Sequence, residues 1–248
     1  MREVLIKFIF NVLPPIFQHS LLTVKPSIGL RISTQRILGR HYQKDMSFIL
    51  IGANDGIQFD TLDGHLAGVE NLRGIAVEPV GEYFSELTKN FSCYENVRCV
   101  NLALHPTDNQ IVMYKVAPEK LHLLPPWAKG IASVLKDHHK ISGIPTEHIR
   151  EDIVNCIDFS TLLKTYGFGE LNGSYNYLQI DVEGYDAEII KMIDFNTTTF
   201  DMIKFERKNL SKWDYETTET ILTKAGYKIY HQIEDSIAVK RKIKFYLN

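Results

Sequence analysis

The chain has 248 residues, with 28 Lys or Arg against 30 Asp or Glu, a formal net charge of −2 when its nine histidines are neutral. At 44% hydrophobic, 23% charged and 11% aromatic it has the makeup of a globular protein with one large core, which excludes a disordered, collagen-like or disulfide-scaffold chain. A pI near 6.5 and no long Lys/Arg run remove the electrostatic footprint of a dedicated nucleic-acid binder, so no nucleic-acid partner is expected.

Cys93, Cys99 and Cys156 form no C-x-x-C pair, so neither a disulfide framework nor a zinc site is expected, and a reducing, cytoplasmic setting fits best. The opening stretch MREVLIKFIFNVLPPIF has the basic start and apolar run of a signal peptide. Lys7 and Asn11 interrupt it, and no small-residue cleavage site precedes Pro14 and Pro15. It is also shorter than the ~20 apolar residues a membrane span needs. Residues 1–45 therefore read as an N-terminal helical extension packed on the domain, with peripheral membrane association as the alternative and no stable insertion.

Residues 46–248 carry alternating short apolar runs and helical patterns. A helical lead-in over 27–42 precedes the apolar run 47–51, which ends abruptly at Gly52 and reads as a buried parallel strand. A short helix, a strand at 74–77, a helix at 82–91 and a strand at 97–102 follow. This β-α-β-α-β order predicts a doubly wound parallel sheet. Residues 111–116 read as an extra strand. Residues 117–149 hold prolines, glycines and four of the nine histidines without periodicity, an insertion or lid. Order resumes with a strand at 153–157 and a helix capped by Asp158, whose Phe159, Leu162, Leu163 and Tyr166 face inward and which Gly167 ends. A strand at 175–180, a helix at 186–193, a strand at 202–205 and a helix at 215–225 come next. The runs 227–233 and 236–244 flank a turn-like Glu234-Asp235 and predict an antiparallel pair at the sheet edge.

The most informative segment is the turn after the first strand, Gly52-Ala53-Asn54-Asp55-Gly56, because open α/β sheets bind ligands at the carboxyl ends of their strands. A dinucleotide fingerprint needs a second glycine where Asn54 stands, which disfavours a pyrophosphate, and no P-loop motif is present. Glu78 ends the second strand 26 residues after the loop begins and can accept both hydroxyls of a ribose. A ribose-bearing cofactor with a positive sulfonium and no phosphate suits a glycine turn with carboxylates; S-adenosylmethionine is that cofactor. The plain alternative is a tight turn beside a solvated strand-end acid.

These segments resemble the FkbM-type methyltransferases, a branch of the class I S-adenosylmethionine-dependent group. FILIGANDG is similar to the family's first-strand loop, IAVEP to its second-strand acid and NLAL to its third-strand end. IASVLKDHH, LQIDVEGYDAEIIKMIDF, MIKFE, AGY and DSIAVK continue the pattern over residues 47–240. The resemblance implies a Rossmann-like α/β fold, a mostly parallel seven-stranded sheet with an antiparallel edge strand and helices on both faces. It implies cofactor contacts at Gly52, Ala53, Asn54, Asp55, Gly56, Glu78, Pro79, Ala103 and Asp181. Two departures stand out: many class I enzymes have an acid in place of Leu50, and many FkbM members have Lys in place of Gln179.

Asp181 and Glu183 follow the 175–180 strand, and a period of two aims both the same way if the chain stays extended. Gly184 lets the chain turn into the next helix, which Asp186 can cap. In the topology implied by the family, Glu206 joins Asp181 and Glu183 at the carboxyl edge, where a carboxylate can hold a hydroxyl or take its proton. Asp181, Glu183 and His138 are thus the catalytic candidates, and Ser133, His139 and Glu206 the substrate-binding candidates. Taken alone, each histidine reads as part of a solvated basic stretch, 136–140, and Trp127 as a buried anchor of the long loop. Three hard oxygen ligands admit a divalent metal, but spacing does not establish one and no metal site is predicted. The expected function is O-methylation of a glycan or secondary metabolite. The alternatives are a protein or nitrogen acceptor, disfavoured by the lack of an N-P-P-Y-type segment after Ile180, or an inactive scaffold, which Leu50 and Gln179 keep open.

Overall fold

The computed structural model describes residues 34–240 apart from 58–61 and 63–64, so most of the expected N-terminal extension, and the end of the last predicted strand, lie outside the described residues. Helix α1 (Thr34–His41) leads into strand β1 (Asp45–Ile51). Six of the seven β1 residues are buried, the signature of a strand covered on both faces. Strand β2 (Asn71–Val77), helix α2 (Gly81–Asn90) and strand β3 (Val97–Val100) extend the sheet on one side of β1. Gly74 of β2 lies against the Phe48 ring of β1, where a Cβ would come within 2.2 Å of the ring.

The chain then crosses to the other side of β1, where β8 (Ser174–Ile180) and β9 (Thr199–Glu206) continue the parallel array. Helices α4 (Phe159–Tyr166), α5 (Asp186–Lys191) and α6 (Lys212–Lys224) pack on it through Phe159, Leu162, Ile189, Ile190 and Leu222, which share a core with Ile49, Leu178 and Ile203. Strands β10 (Tyr227–His231) and β11 (Asp235–Lys240) complete the order β10-β11-β9-β8-β1-β2-β3. β11 runs antiparallel to both neighbours, so the predicted antiparallel pair exists and its inner member is the antiparallel strand. Asp158 caps α4 as expected, accepting from the Ser160 and Thr161 amides at 2.8 and 3.1 Å, and these bonds with the two hydroxyls hold its carboxyl down at about 2. Asp186 does not cap its helix: it is the first residue of α5, and its side chain turns to backbone amides elsewhere.

The extra strand belongs to a second, smaller sheet. Strands β4 (Ala103–Leu104), β5 (Gln110–Val116), β6 (Ala132–Ser133) and β7 (Ile149–Ile157) form it in the order β4-β7-β5-β6. Two expectations change here. The run 97–102 is divided, with only β3 in the main sheet, and the strand expected at 153–157 pairs with β5 rather than resuming the main alternation. Alternate exposure along β7, with Ile153 73% exposed, marks a strand covered on one face only. Residues 117–149 form short 3-10 turns, β6 and a four-residue helix, α3 (His138–Ile141). Val116, Ala128, Ile131 and Ile144 give this insertion its own apolar cluster. Trp127 is 46% exposed, so Ala128 and Ile131 anchor the loop in its place.

Lys115 of β5 is 1% exposed, and its Nζ lies 2.6 Å from Glu82 Oε2 and 2.7 Å from Asp152 Oδ2. Arg150 holds the same two carboxylates from the surface. Lys115→Ala is expected to destabilise the fold by about 3 kcal/mol, because it empties a buried side-chain site and removes the inner cation that Glu82 and Asp152 share, whereas Arg150→Ala should cost about 1 kcal/mol or less. Urea unfolding midpoints at constant slope read both values. Among the described residues no helix is long and apolar enough to cross a membrane.

Candidate active site

The carboxyl ends of β1, β2 and β8 converge where the chain order of the sheet reverses, the place an open α/β sheet offers a ligand. There the 52–56 turn lies close under the end of β8. Gly52 has φ +79°, and its Cβ would stand 1.9 Å from the Asp181 carbonyl oxygen, so glycine is required. Gly52 and Ala53 both donate to the Val77 carbonyl, and Asp181 donates to that of Ile51, tying three strand ends together. Gly52→Ala is expected to lower stability by about 3 kcal/mol, a melting-temperature drop of about 10 °C by circular dichroism.

Glu78 closes the turn from β2. Its carboxylate accepts from the Asn54 amide and the Val80 amide, each at 2.8 Å. Only 4% of the residue is exposed, and burial pushes its carboxyl up to about 7, against the pull of those amides and the Lys115 charge. Beside it opens a pocket. Pro79, Tyr83, Leu102 and Ala103 give it an apolar side, the small sheet closes it with Met113 and Ala132, and Asp181 and Glu183 line the opposite end. Among the described residues no Lys, Arg or His lines this pocket while three acids do, so it complements a cation and not a phosphate.

Glu183 is held from several directions. Its backbone is left-handed at φ +52°, a conformation that costs a side-chain-bearing residue roughly 1–2 kcal/mol. Ser133 Oγ donates to its carbonyl at 2.8 Å. On the carboxylate, Oε2 lies 2.7 Å from His138 Nε2 and 3.1 Å from Asn209 Nδ2. The same Asn209 amide donates to Glu206 Oε2 at 2.8 Å. Glu206 is pushed up to about 8 by burial and by the neighbouring Glu183 and Asp181 charges. Asp186, fully buried, accepts from the Glu206 amide at 2.9 Å and the Val182 amide at 3.3 Å, and desolvation holds its carboxyl well above the usual range. A pair of acids at the pocket wall is therefore backed by two that favour their protonated forms.

The sequence matches the methyltransferase FkbM domain over residues 51–229. This chain belongs to the FkbM methyltransferase family. It is an S-adenosylmethionine-dependent methyltransferase. A solved FkbM methyltransferase from Methylobacillus flagellatus is 11% identical over 79% of this chain and 43% of its own, with a TM-score of 0.46. Precorrin-6y C5,15-methyltransferase from Geobacter metallireducens is 14% identical over 83% of this chain and 84% of its own, at 0.40. Fibrillarin from Aeropyrum pernix, solved with natively bound S-adenosyl-L-methionine, is 10% identical over 79% and 66%, at 0.39. No curated protein sequence matches the chain. Membership rests on the domain match.

The pocket of this FkbM domain fits the cofactor. Glu78 offers carboxylate acceptors for ribose hydroxyls, the flush glycine turn leaves backbone free of side chains, and the acids at the far end suit a cation. Of the residues expected to bind it, Gly52, Asn54, Glu78, Pro79, Ala103 and Asp181 line the pocket. Ala53, Asp55 and Gly56 do not. The Asp55 carboxylate is turned to the Ile57 amide and to Lys129, whose Nζ lies 3.1 Å away and also pairs with Glu86, so Asp55 clasps the insertion instead. Gly56 packs under Leu87 of α2 and Phe91, the residue that caps its C-terminal end.

Among the other FkbM-site candidates only Glu183 reaches the wall. Ser133 is 1% exposed, its hydroxyl is committed to the Glu183 carbonyl and the Leu135 amide, and it does not line the pocket. His138 and His139 are each 3% exposed, correcting the reading of a solvated stretch. His138 stands behind Glu183, and His139 turns away to Thr146 Oγ1 at 3.1 Å; neither lines the pocket. Glu206 lies behind Asn209 and off the wall. Asn209, Lys129 and Tyr83 carried no motif signal; for Asn209, its position just after a central strand is the cue. Among the described residues no group of three or more His, Cys, Asp or Glu is arranged to hold a metal.

Proposed function

We propose that the domain transfers a methyl group from S-adenosylmethionine to a hydroxyl oxygen of a glycan or secondary metabolite. The observation that carries this reading is Glu183: it lines the pocket, His138 and Asn209 both meet its carboxylate at Oε2, and Oε1 accepts no hydrogen bond among the described residues. An oriented carboxylate with one open oxygen suits removal of a hydroxyl proton. Bound S-adenosylmethionine supplies an already activated methyl group. The chain's residues then have three tasks: Glu78 holds the ribose, Asp181 faces the cationic end, and Glu183 orients the acceptor hydroxyl and takes its proton. Positioning of this kind supplies much of the acceleration of an in-line displacement.

Leu50 and Gln179, the departures from the family pattern, do not line the pocket. Leu50 is 1% exposed within β1, and Gln179 accepts from the Tyr177 hydroxyl at 2.9 Å. This supports a working site over an inactive scaffold. The test is transfer of labelled methyl from S-adenosylmethionine into separated glycan, small-metabolite and protein fractions of the source cell, with Asp181→Asn as control. Label in the glycan or metabolite fraction supports the reading, and label confined to protein overturns it.

A further inference from the structure

Asn209 occupies a position that the family pattern does not mark. Its single amide nitrogen, with two hydrogens, serves two carboxyl groups, Glu183 Oε2 at 3.1 Å and Glu206 Oε2 at 2.8 Å. His138 Nε2 meets the same Glu183 oxygen, while His138 Nδ1 is buried without a hydrogen-bond partner. A buried bare lone pair costs less than an orphaned N–H, so the network assigns His138 the Nε2–H tautomer, donating to Glu183. Both donors fall on Oε2.

We propose that Asn209 is a positioning residue for the Glu183 base: it fixes the carboxylate so that the acceptor's proton arrives at Oε1, and it separates Glu183 from the acid group of Glu206. The proposal rests on the reading of Glu183 as base. In the step, the acceptor O–H bond breaks, its proton goes to Glu183 Oε1, the oxygen pair forms the bond to the methyl carbon, and the carbon–sulfur pair stays on sulfur. Without the Asn209 bridge, the Glu206 acid is free to hydrogen-bond Glu183 directly and compete for that role. The titratable groups that surround the pair are His138 from the insertion, Asp181 just after β8, Asp186 from α5 and Lys208 from the turn after β9. Asp235, opposite Glu206 on β11, is paired with Lys204 at 3.0 Å.

The test measures labelled-methyl transfer to the glycan and small-metabolite extract for Asn209→Ala, Asn209→Gln, Glu183→Gln and the double variant Glu183→Gln/Asn209→Ala. Asn209→Ala should lower the rate at saturating cofactor about 10- to 100-fold, with KM for S-adenosylmethionine within about twofold and the melting temperature nearly unchanged. Asn209→Gln, which restores an amide donor, should recover part of the rate. In the Glu183→Gln background, Asn209→Ala should have no further effect. A wild-type rate in Asn209→Ala, or an equal loss in both backgrounds, overturns the positioning role. Full activity in Glu183→Gln overturns the base reading itself, and no transfer by wild-type protein into any fraction overturns both.

Discussion

Glu183→Gln is expected to reduce methyl transfer by about 10²- to 10⁴-fold, the usual contribution of a positioned base. The substitution is close to isosteric. A glutamine carbonyl oxygen can still accept from His138 Nε2 and Asn209 Nδ2, leaving its amide toward the pocket where Glu183 Oε1 now stands. Folding and the left-handed backbone at this position are therefore preserved, and a melting curve that overlays wild type checks this. Cofactor affinity should change by less than about tenfold, since one negative charge of the acidic wall is lost while the ribose end is untouched. A large rate loss with near-normal binding separates a base from a cofactor ligand. The reverse pattern, weak binding with an unchanged rate at saturation, would place Glu183 among the cofactor contacts.

Glu78→Ala is expected to weaken S-adenosylmethionine binding by about 100-fold or more, about 3 kcal/mol, by calorimetry. Two effects combine: the ribose acceptor is lost, and the Asn54 and Val80 amides lose their buried partner, which loosens the turn. The carboxyl sits at about 7 in the free protein, and donor hydroxyls favour its charged form. Affinity should therefore climb as pH rises through 7 and level off above it, by at most tenfold per pH unit. Adenosine is the suitable probe because it carries the ribose without a titrating amino group, and in Glu78→Gln the climb should vanish. A flat profile in wild type would remove Glu78 from the ribose site. Stability follows the opposite slope. Since the folded value lies above the ordinary 4.5, the stabilisation from the bound proton is complete below about 4.5 and is lost as pH rises to about 7, by about 3 kcal/mol for this group.

The glycine turn, Glu78 and Asp181 were legible because each sits at the end of a strand buried on both faces, and such strands announce themselves as unbroken apolar runs closed by glycine or acid. β7 was misplaced for the complementary reason: its apolar run continues a half-exposed strand, and a five-residue window does not distinguish the two. The 136–140 stretch looked solvated from its charges, yet α3 has four residues, and within it His138 and His139 turn inward while Lys140 stays out. Asn209 was invisible because an uncharged amide in a turn has no chemistry until the fold brings two carboxyl groups to it. The Lys129 clasp on Asp55 joins residues 74 positions apart, a contact no local pattern encodes.

The most direct test of methyl transfer to a hydroxyl is to supply S-adenosylmethionine carrying a ¹³C-methyl group, purify the labelled product and read by NMR which atom bears the methyl. The expected product is a methyl ether, with the carbon shift of an O-methyl group and a bond resistant to mild base. A methyl found on nitrogen, carbon or sulfur, or released by mild base as an ester, would contradict it.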